Sequence, residues 1–388
     1  MAGIFQTPSP WMDEELVLFD DSLRRFLSDQ VPPERLALWR ADGIVERSAW
    51  REIAGAGLLG LSVAASFGGA GGDFRHDAVM IRRLGLIGAE GWGVPLHNAI
   101  VAPYIEKYGT PEQRQRWLPR MVSGEWITAI AMTEPGAGSD LRGMRTMARR
   151  DGDQYRLTGQ KTFITNGQHA DLILVVARTD PEGGSKGISL FGVEAEHAPG
   201  FQRGRNLDKV GLEMGDTSEL FFDEVPVPAS NLIGGEEGHG LHQLMRELPK
   251  ERLMIAIESL ALIEAAFDHT LAYVRERQLF GQALLDFQNT QFRLAECKTE
   301  AMVARCFVDD CIARYLRGEL DAATASMAKL WVSERAQKVV DACQQLFGGY
   351  GYMNEYPIAQ MYKDVRVKRI YGGTSEVMKL LIARTLDA

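Results

Sequence analysis

Cysteine is scarce in this 388-residue chain: four residues, Cys297, Cys306, Cys311 and Cys343, with no CxxC pair among them. That spacing excludes a zinc ribbon or a redox dithiol. All four lie in helix-patterned sequence, which reads as free buried thiols in a reducing compartment, with the cytoplasm as the expected location. Long apolar runs are missing too. The best, 253–267, is broken by Glu258 and Glu264 and falls short of the ~20 residues that cross a bilayer, so no membrane insertion is expected. Residues 1–11 lack a basic stretch leading into an apolar core, so no secretory signal is expected. Positive charge is in deficit, 43 Lys and Arg against 52 Asp and Glu. A net charge of -9 argues against nucleic acid as a partner, because binding a phosphate backbone needs Lys and Arg to displace counterions. One local basic pocket for a phosphorylated ligand stays compatible with it. His239 and His242 stand near Glu236 and Glu237, but no further ligand supports them and no metal is expected.

What is present divides into three stretches. In the first, Met12, Leu16, Phe19, Leu23 and Phe26 recur at helical spacing, and Val31-Pro32-Pro33 closes that helix. Thr110-Pro111-Glu112-Gln113 supplies an N-cap, a proline at the first helical position and a capping-box Gln. Between about 126 and 238, short β-branched and aromatic runs (127–132, 172–177, 188–193, 219–222) alternate with turns. No helical period separates them, which disfavours a doubly wound parallel sheet and favours a compact antiparallel barrel or sandwich. Helical period returns in 252–278, 288–316 and 322–346, as in an antiparallel bundle. The expectation is an α+β, mainly α, fold: an N-terminal helical domain (1–125), a middle β domain (126–238) and a C-terminal four-helix bundle (239–388).

Several motifs carry chemistry, none decisive alone. AMTEPGAGSD (131–140) leaves the first β run with glycines that let N–H groups turn toward an anion, and with Thr and Ser hydroxyls as further donors. It is no dinucleotide fingerprint, since no GxGxxG opens a helix after it. In KTFITNG (161–167), Phe163 and Thr165 share strand parity, an aromatic beside a hydroxyl. IYGGTSE (370–376) sets a glycine pair and a capping Thr or Ser before the last helix, whose free N–H groups suit an anion or a carbonyl oxygen. Glu247, Glu251 and Glu258 fall on one helix face, with Pro249 interrupting the turn between the first two. Residue type alone would leave Glu251 in solvent. Gly68-Gly69 with Gly71-Gly72 reads as a mobile turn between helices.

Taken together and in order, AMTEPGAGSD, FITNG, RQLFG, QLFGGYGY and IYGGTSE resemble the acyl-CoA dehydrogenase family over nearly the whole chain. PKERLMIA, MNEYPIAQ and IYGGTSEVMKLLIAR are most similar to its long-chain and isovaleryl branch. The resemblance implies an FAD enzyme of fatty acid β-oxidation that converts an acyl-CoA to its trans-2-enoyl-CoA and passes electrons to an electron-transfer flavoprotein. By position it implies Met132 and Thr133 at the flavin pyrimidine edge, and Gly138 and Ser139 near the pyrophosphate. Phe163 would pack on the isoalloxazine, with Thr165 near N5. Arg277, Phe280, Gln288, Gln345 and Gly349 would reach the FAD of a neighbouring subunit, and Thr374 and Glu376 would return to it from the C-terminal loop. A shared cofactor implies the family's homotetramer, a dimer of dimers. Arg252, Ser139 and Tyr371 are carried over as substrate-side residues.

Many members carry the catalytic base as Glu at the position matching Gly372. This chain lacks it there but has Glu251, where the long-chain and isovaleryl branches place it. The resemblance therefore implies Glu251 as base and the Gly372 backbone N–H, with a flavin ribityl hydroxyl, as donors to the thioester oxygen. Such donors suit an oxygen that gains enolate-like charge, and a carboxylate suits the α-proton if burial lifts its pKa. Two further expectations follow: a bare Gly372 widens the pocket, and Gly372→Glu restores some activity to Glu251→Gln. Phe163 stands where Trp is frequent, and Glu376 where Gln or Asn is frequent. The alternatives are an acyl-CoA oxidase or a carrier-protein-thioester dehydrogenase of the same fold, and a DNA-binding flavoprotein relative.

Overall fold

The computed structural model describes residues 3–386. Helices α1 (Glu14–Gln30), α2 (Pro33–Asp42), α3 (Arg47–Gly55) and α4 (Phe74–Leu86) open the chain, followed by α5 (Val94–Leu96), a π-helical turn (His97–Val101), α6 (Ala102–Tyr108) and α7 (Pro111–Val122). Local chemistry sets their starts. Asp13 caps α1 by accepting from the Leu16 N–H. At α7 the expected capping box is formed, the Gln113 side chain accepting from the Thr110 N–H at 3.0 Å while Thr110 accepts from the Gln113 N–H. The glycine turn after α3 is tied down rather than loose. Gly71 and Gly72 donate to the carbonyls of Val63 and Leu61 at 2.9 Å each.

Strands β1 (Thr128–Ala131), β2 (Met147–Asp151), β3 (Gln154–Thr165), β4 (Leu172–Arg178), β5 (Ile188–Glu194), β6 (Phe201–Asn206) and β7 (Thr217–Pro228) form a curled seven-stranded sheet. Its order is β1-β4-β2-β3-β7-β6, with β5 also on β4. Most pairs are antiparallel, but β1 runs parallel to β4 and β2 touches β4 in parallel. The all-antiparallel expectation is corrected there: β1 and β4 are separated by the β2–β3 hairpin, a crossover that short strand runs cannot announce. β4 and β5 are buried along nearly their whole length, which explains their continuous apolar sequence.

The last part is helical: α8 (Gly240–Glu276), a small hairpin of β8 (Gln278–Leu279) and β9 (Gln282–Ala283), α9 (Gln288–Leu316), α10 (Ala322–Phe347), α11 (Pro357–Asp364) and α12 (Ser375–Ala383). α8 packs on α9, α10 and α4, and α12 on α10. Pro249 does not interrupt α8, which runs through it for 37 residues. Beyond it, eight consecutive residues from Lys250 to Ile257 are buried. A helix enclosed on every side is how three charged residues, Lys250, Glu251 and Arg252, come to lie inside the protein.

Candidate active site

Glu251 is 6% exposed, and its Oε1 accepts from the Tyr104 hydroxyl of α6 at 3.1 Å. Burial lifts its carboxyl to about pH 7, against the opposing pull of Lys250 and the Tyr104 hydrogen bond. Glu247, one turn earlier, is committed elsewhere. Lys107 donates to it at 2.9 Å and the Tyr108 hydroxyl at 2.8 Å. Burial would raise its pKa, but Lys250 and Lys107 outweigh that and hold it below the usual carboxylate range. Glu258 meets the C-terminal loop, accepting from Lys368 at 2.8 Å and the Tyr371 hydroxyl at 2.6 Å. Three glutamates on one helix thus have three environments, and Glu251 is buried with its pKa raised to about 7.

Ile255, one turn after Glu251, brings the Gly372 loop to the same place. Gly372 and Gly373 have φ of +63° and +96°, in the left-handed region. A Cβ on Gly372 would overlap the Cδ1 of Ile255. The volume freed by the missing side chain is therefore filled by Ile255, which corrects the expected widening of the pocket at this point. Thr374 caps α12 by accepting from the Val377 N–H at 3.3 Å, while the buried Ser375 Oγ has no hydrogen-bond partner among the described residues. Arg252 is also buried, with one long hydrogen bond to Ser326 (3.4 Å) and an unpartnered Nε.

The 131–140 loop is built on a buried ion pair. Glu134 accepts from the N–H groups of Arg145 (2.6 Å) and Thr146 (2.9 Å) and from Lys161 Nζ (2.9 Å). Lys161 also donates to the Met132 carbonyl at 3.1 Å. Between Lys161 and Ile164, β3 advances three residues while β7 advances two, so one residue is extra. Lys161 turns inward and Phe163 outward, 66% exposed at φ +60°. Thr165, two residues on, is half-buried. Cβ atoms built on Gly136 and Gly138 meet nothing within 4 Å, so open space lies over this loop. An exposed aromatic held in a strained conformation beside such a loop fits a flat ring with a phosphate-bearing tail. Met132 packs against the core cluster that contains Tyr104, linking this loop to the Glu251 side.

Family models described as the acyl-CoA dehydrogenase N-terminal, middle and C-terminal domains match residues 13–125, 129–225 and 238–386. The mitochondrial long-chain specific acyl-CoA dehydrogenase of Rattus norvegicus is 48% identical over 371 residues, 95% of this chain and 86% of that protein. The mitochondrial isovaleryl-CoA dehydrogenase of Pongo abelii is 34% identical, with 97% of this chain and 90% of that protein covered. The crystal structure of acyl-CoA dehydrogenase from Geobacillus kaustophilus superposes with a TM-score of 0.96 at 48% identity, covering 98% of this chain and all (100%) of that one. The chain belongs to the acyl-CoA dehydrogenase family. It is an FAD-dependent oxidoreductase acting on the CH–CH bond of an acyl-CoA.

Within this dehydrogenase the expected residues fall into three groups. Glu251, Arg252, Tyr371, Gly372 and Thr374 gather around α8 and the C-terminal loop, and Met132, Thr133, Gly138, Ser139, Phe163 and Thr165 around the end of β1 and β3. Arg277, Phe280, Gln288, Gln345 and Gly349 are all exposed at the far end of the bundle. Arg277 lies 26 residues beyond Glu251, about 39 Å along the axis at ~1.5 Å per residue. There Arg277 sits over the Tyr350 ring at 5.6 Å, and Phe280 is 90% exposed at φ +50°. Glu376 is exposed in the first turn of α12, its pKa lowered by hydrogen bonds from its own N–H and Thr374. Sequence reasoning missed Tyr104, Lys161 and the role of Glu134. Tyr104 carries no local signal, being one aromatic on an amphipathic helix, whereas Glu134 and Lys161 stood inside quoted motifs.

Proposed function

We propose that this dehydrogenase removes the α-proton of an acyl-CoA with Glu251 while the Gly372 N–H holds the thioester oxygen, giving the trans-2-enoyl-CoA. The observation that carries this reading is a fully enclosed carboxylate with a pKa near 7, one helical turn from the residue that packs on Gly372. Bound FAD supplies the two-electron acceptor for the β-hydrogen, which leaves as hydride. Met132, Thr133, Gly138, Ser139, Phe163 and Thr165 would hold it on one protomer, with Thr374 and Glu376 from the C-terminal loop. Tyr104 orients the Glu251 carboxylate, Glu134 and Lys161 keep the 131–140 loop in shape, and Arg252, Ser139 and Tyr371 border the acyl-CoA. The buried surroundings of Glu251 exclude water, so its carboxylate meets a weakly acidic C–H without competing hydration.

We take the functional units as 1–125, 126–238 and 239–388. Arg277, Phe280, Gln288, Gln345 and Gly349 would complete the cofactor site of a neighbour in a homotetramer, a dimer of dimers. Their distance from Glu251 and the exposure of Phe280 support this. An electron-transfer flavoprotein is the proposed acceptor of electrons, and four free cysteines, three of them buried, suit a reducing, cytoplasmic setting. Among the described residues no helix is long and apolar enough to cross a membrane. Anaerobic addition of straight and branched acyl-CoAs tests the reading: the flavin should bleach and the enoyl-CoA appear in equal amount. A flavin that no acyl-CoA reduces would contradict it.

A further inference from the structure

Two buried lysines behind the Gly372 loop, with Glu258 and Glu90 beside them, take no part in the chemistry above. Lys329, on α10, is fully buried, and its Nζ donates to the Gly373 carbonyl at 2.7 Å. Lys368, also fully buried, lies 2.8 Å from Glu258 and 3.2 Å from Glu90. Its ammonium stands 5.6 Å from the centre of the Tyr371 ring, and the Tyr371 hydroxyl donates to the same Glu258 oxygen. Burying two lysines is unfavourable unless each is paired. Lys329 is paired directly with the backbone of the 371–373 loop, whereas Lys368 is paired with Glu90 and Glu258, and Glu258 also holds the Tyr371 hydroxyl. That loop needs restraint, because two successive glycines have more backbone freedom to lose than any other pair.

We propose that Lys329 and Lys368 are positioning residues that clamp this loop on both sides of Gly372, Lys368 through Glu258 and Tyr371 and Lys329 through the Gly373 carbonyl. The clamp keeps the Gly372 N–H aimed at the thioester oxygen, so this inference rests on the role proposed for that amide. Where a side chain at position 372 would help fix the loop, the chain instead fixes it from behind.

The test uses the FAD-loaded enzyme and the variants Lys329→Met, Lys368→Met and Tyr371→Phe. Three quantities are read: kcat, KM, and the infrared carbonyl stretch of bound, carbonyl-labelled enoyl-CoA. In the wild type the stretch should lie below that of the free thioester. In the variants it should move back toward the free value, with kcat lower by roughly 10- to 100-fold, as for a misplaced catalytic group, and KM little changed. Lys329→Gln, which keeps an N–H donor, should recover part of both. FAD-loaded variants with wild-type kcat and stretch would overturn the clamp even if their melting temperature falls. If the lysine variants lose FAD, Tyr371→Phe decides alone: it should shift the stretch in the same direction, and an unmoved stretch overturns the proposal. An unshifted stretch in the wild type would sink the role of Gly372 itself, a different failure.

Discussion

Glu251 is surrounded by charge yet shielded from water, and its properties follow from that balance. Burial raises the carboxyl, Lys250, the Tyr104 hydrogen bond and Arg252 lower it, and Glu247 raises it, with the outcome at about 7. The sign of the consequence for folding is unfavourable. Between the ordinary carboxylate value of 4.5 and about 7, the unfolded chain has lost a proton that the folded chain keeps, so stability falls as pH rises through this window. Activity has the opposite slope, because abstraction needs the ionised form, and kcat/KM should rise with pH through about 7. Tyr104→Phe removes a hydrogen bond to the ionised form. It should move that rise to higher pH by roughly 0.7 unit, the equivalent of ~1 kcal/mol, and lower the rate at pH 7 about threefold. An unchanged pH profile of kcat/KM would remove Tyr104 from the account. From residue type alone Glu251 belongs on the surface, and its burial depends on how α4, α9 and α10 enclose α8, which no local pattern encodes. Only its pairing with the missing side chain at Gly372, read through family resemblance, marked it.

At the scale of elements, α8 and the C-terminal loop behave as one unit. Ile255 occupies the space of a residue 372 side chain, and Gly372 is left-handed, a conformation that costs a residue with a Cβ about 1–2 kcal/mol. Moving the base back therefore takes more than one substitution. Gly372→Glu in a Glu251→Gln background should stay below about 1% of wild-type turnover, whereas adding Ile255→Ala should raise it at least tenfold, consistent with the penalty of overpacking. Equal activity with and without Ile255→Ala, measured on one acyl-CoA, would contradict this coupling. Local features of these elements were legible: the Thr110 box and the helix end at Val31. The inward turn of Lys161 was not, because it depends on a bulge set by pairing with β7. Pro249 misled for a related reason. A proline weakens an isolated helix, but burial on all sides carries α8 through it.

For the whole molecule, the change of sequence grammar from helical to β and back matches the order of elements, since amphipathic period survives any tertiary arrangement. Strand connection does not leave such a trace, and the parallel contact of β1 with β4 was invisible for that reason. The separation of Arg277 and Phe280 from Glu251 was legible in the unbroken helical period between them, and it supports the proposed site shared between protomers. Two of the five non-glycine residues with positive φ among the described residues are Phe163, beside the 131–140 loop, and Phe280, at the far end of the bundle. Strain held at exposed aromatics is what a cofactor-binding surface, rather than a folding core, would retain. The central claim is that one carboxylate on α8 performs proton abstraction while the rest of the molecule holds cofactor and thioester. Anaerobic mixing of FAD-loaded Glu251→Gln with an acyl-CoA that bleaches the wild-type flavin tests it most directly. The account predicts FAD content and thioester binding near wild type, with flavin reduction slowed by about 10²- to 10⁴-fold; reduction at the wild-type rate would contradict it.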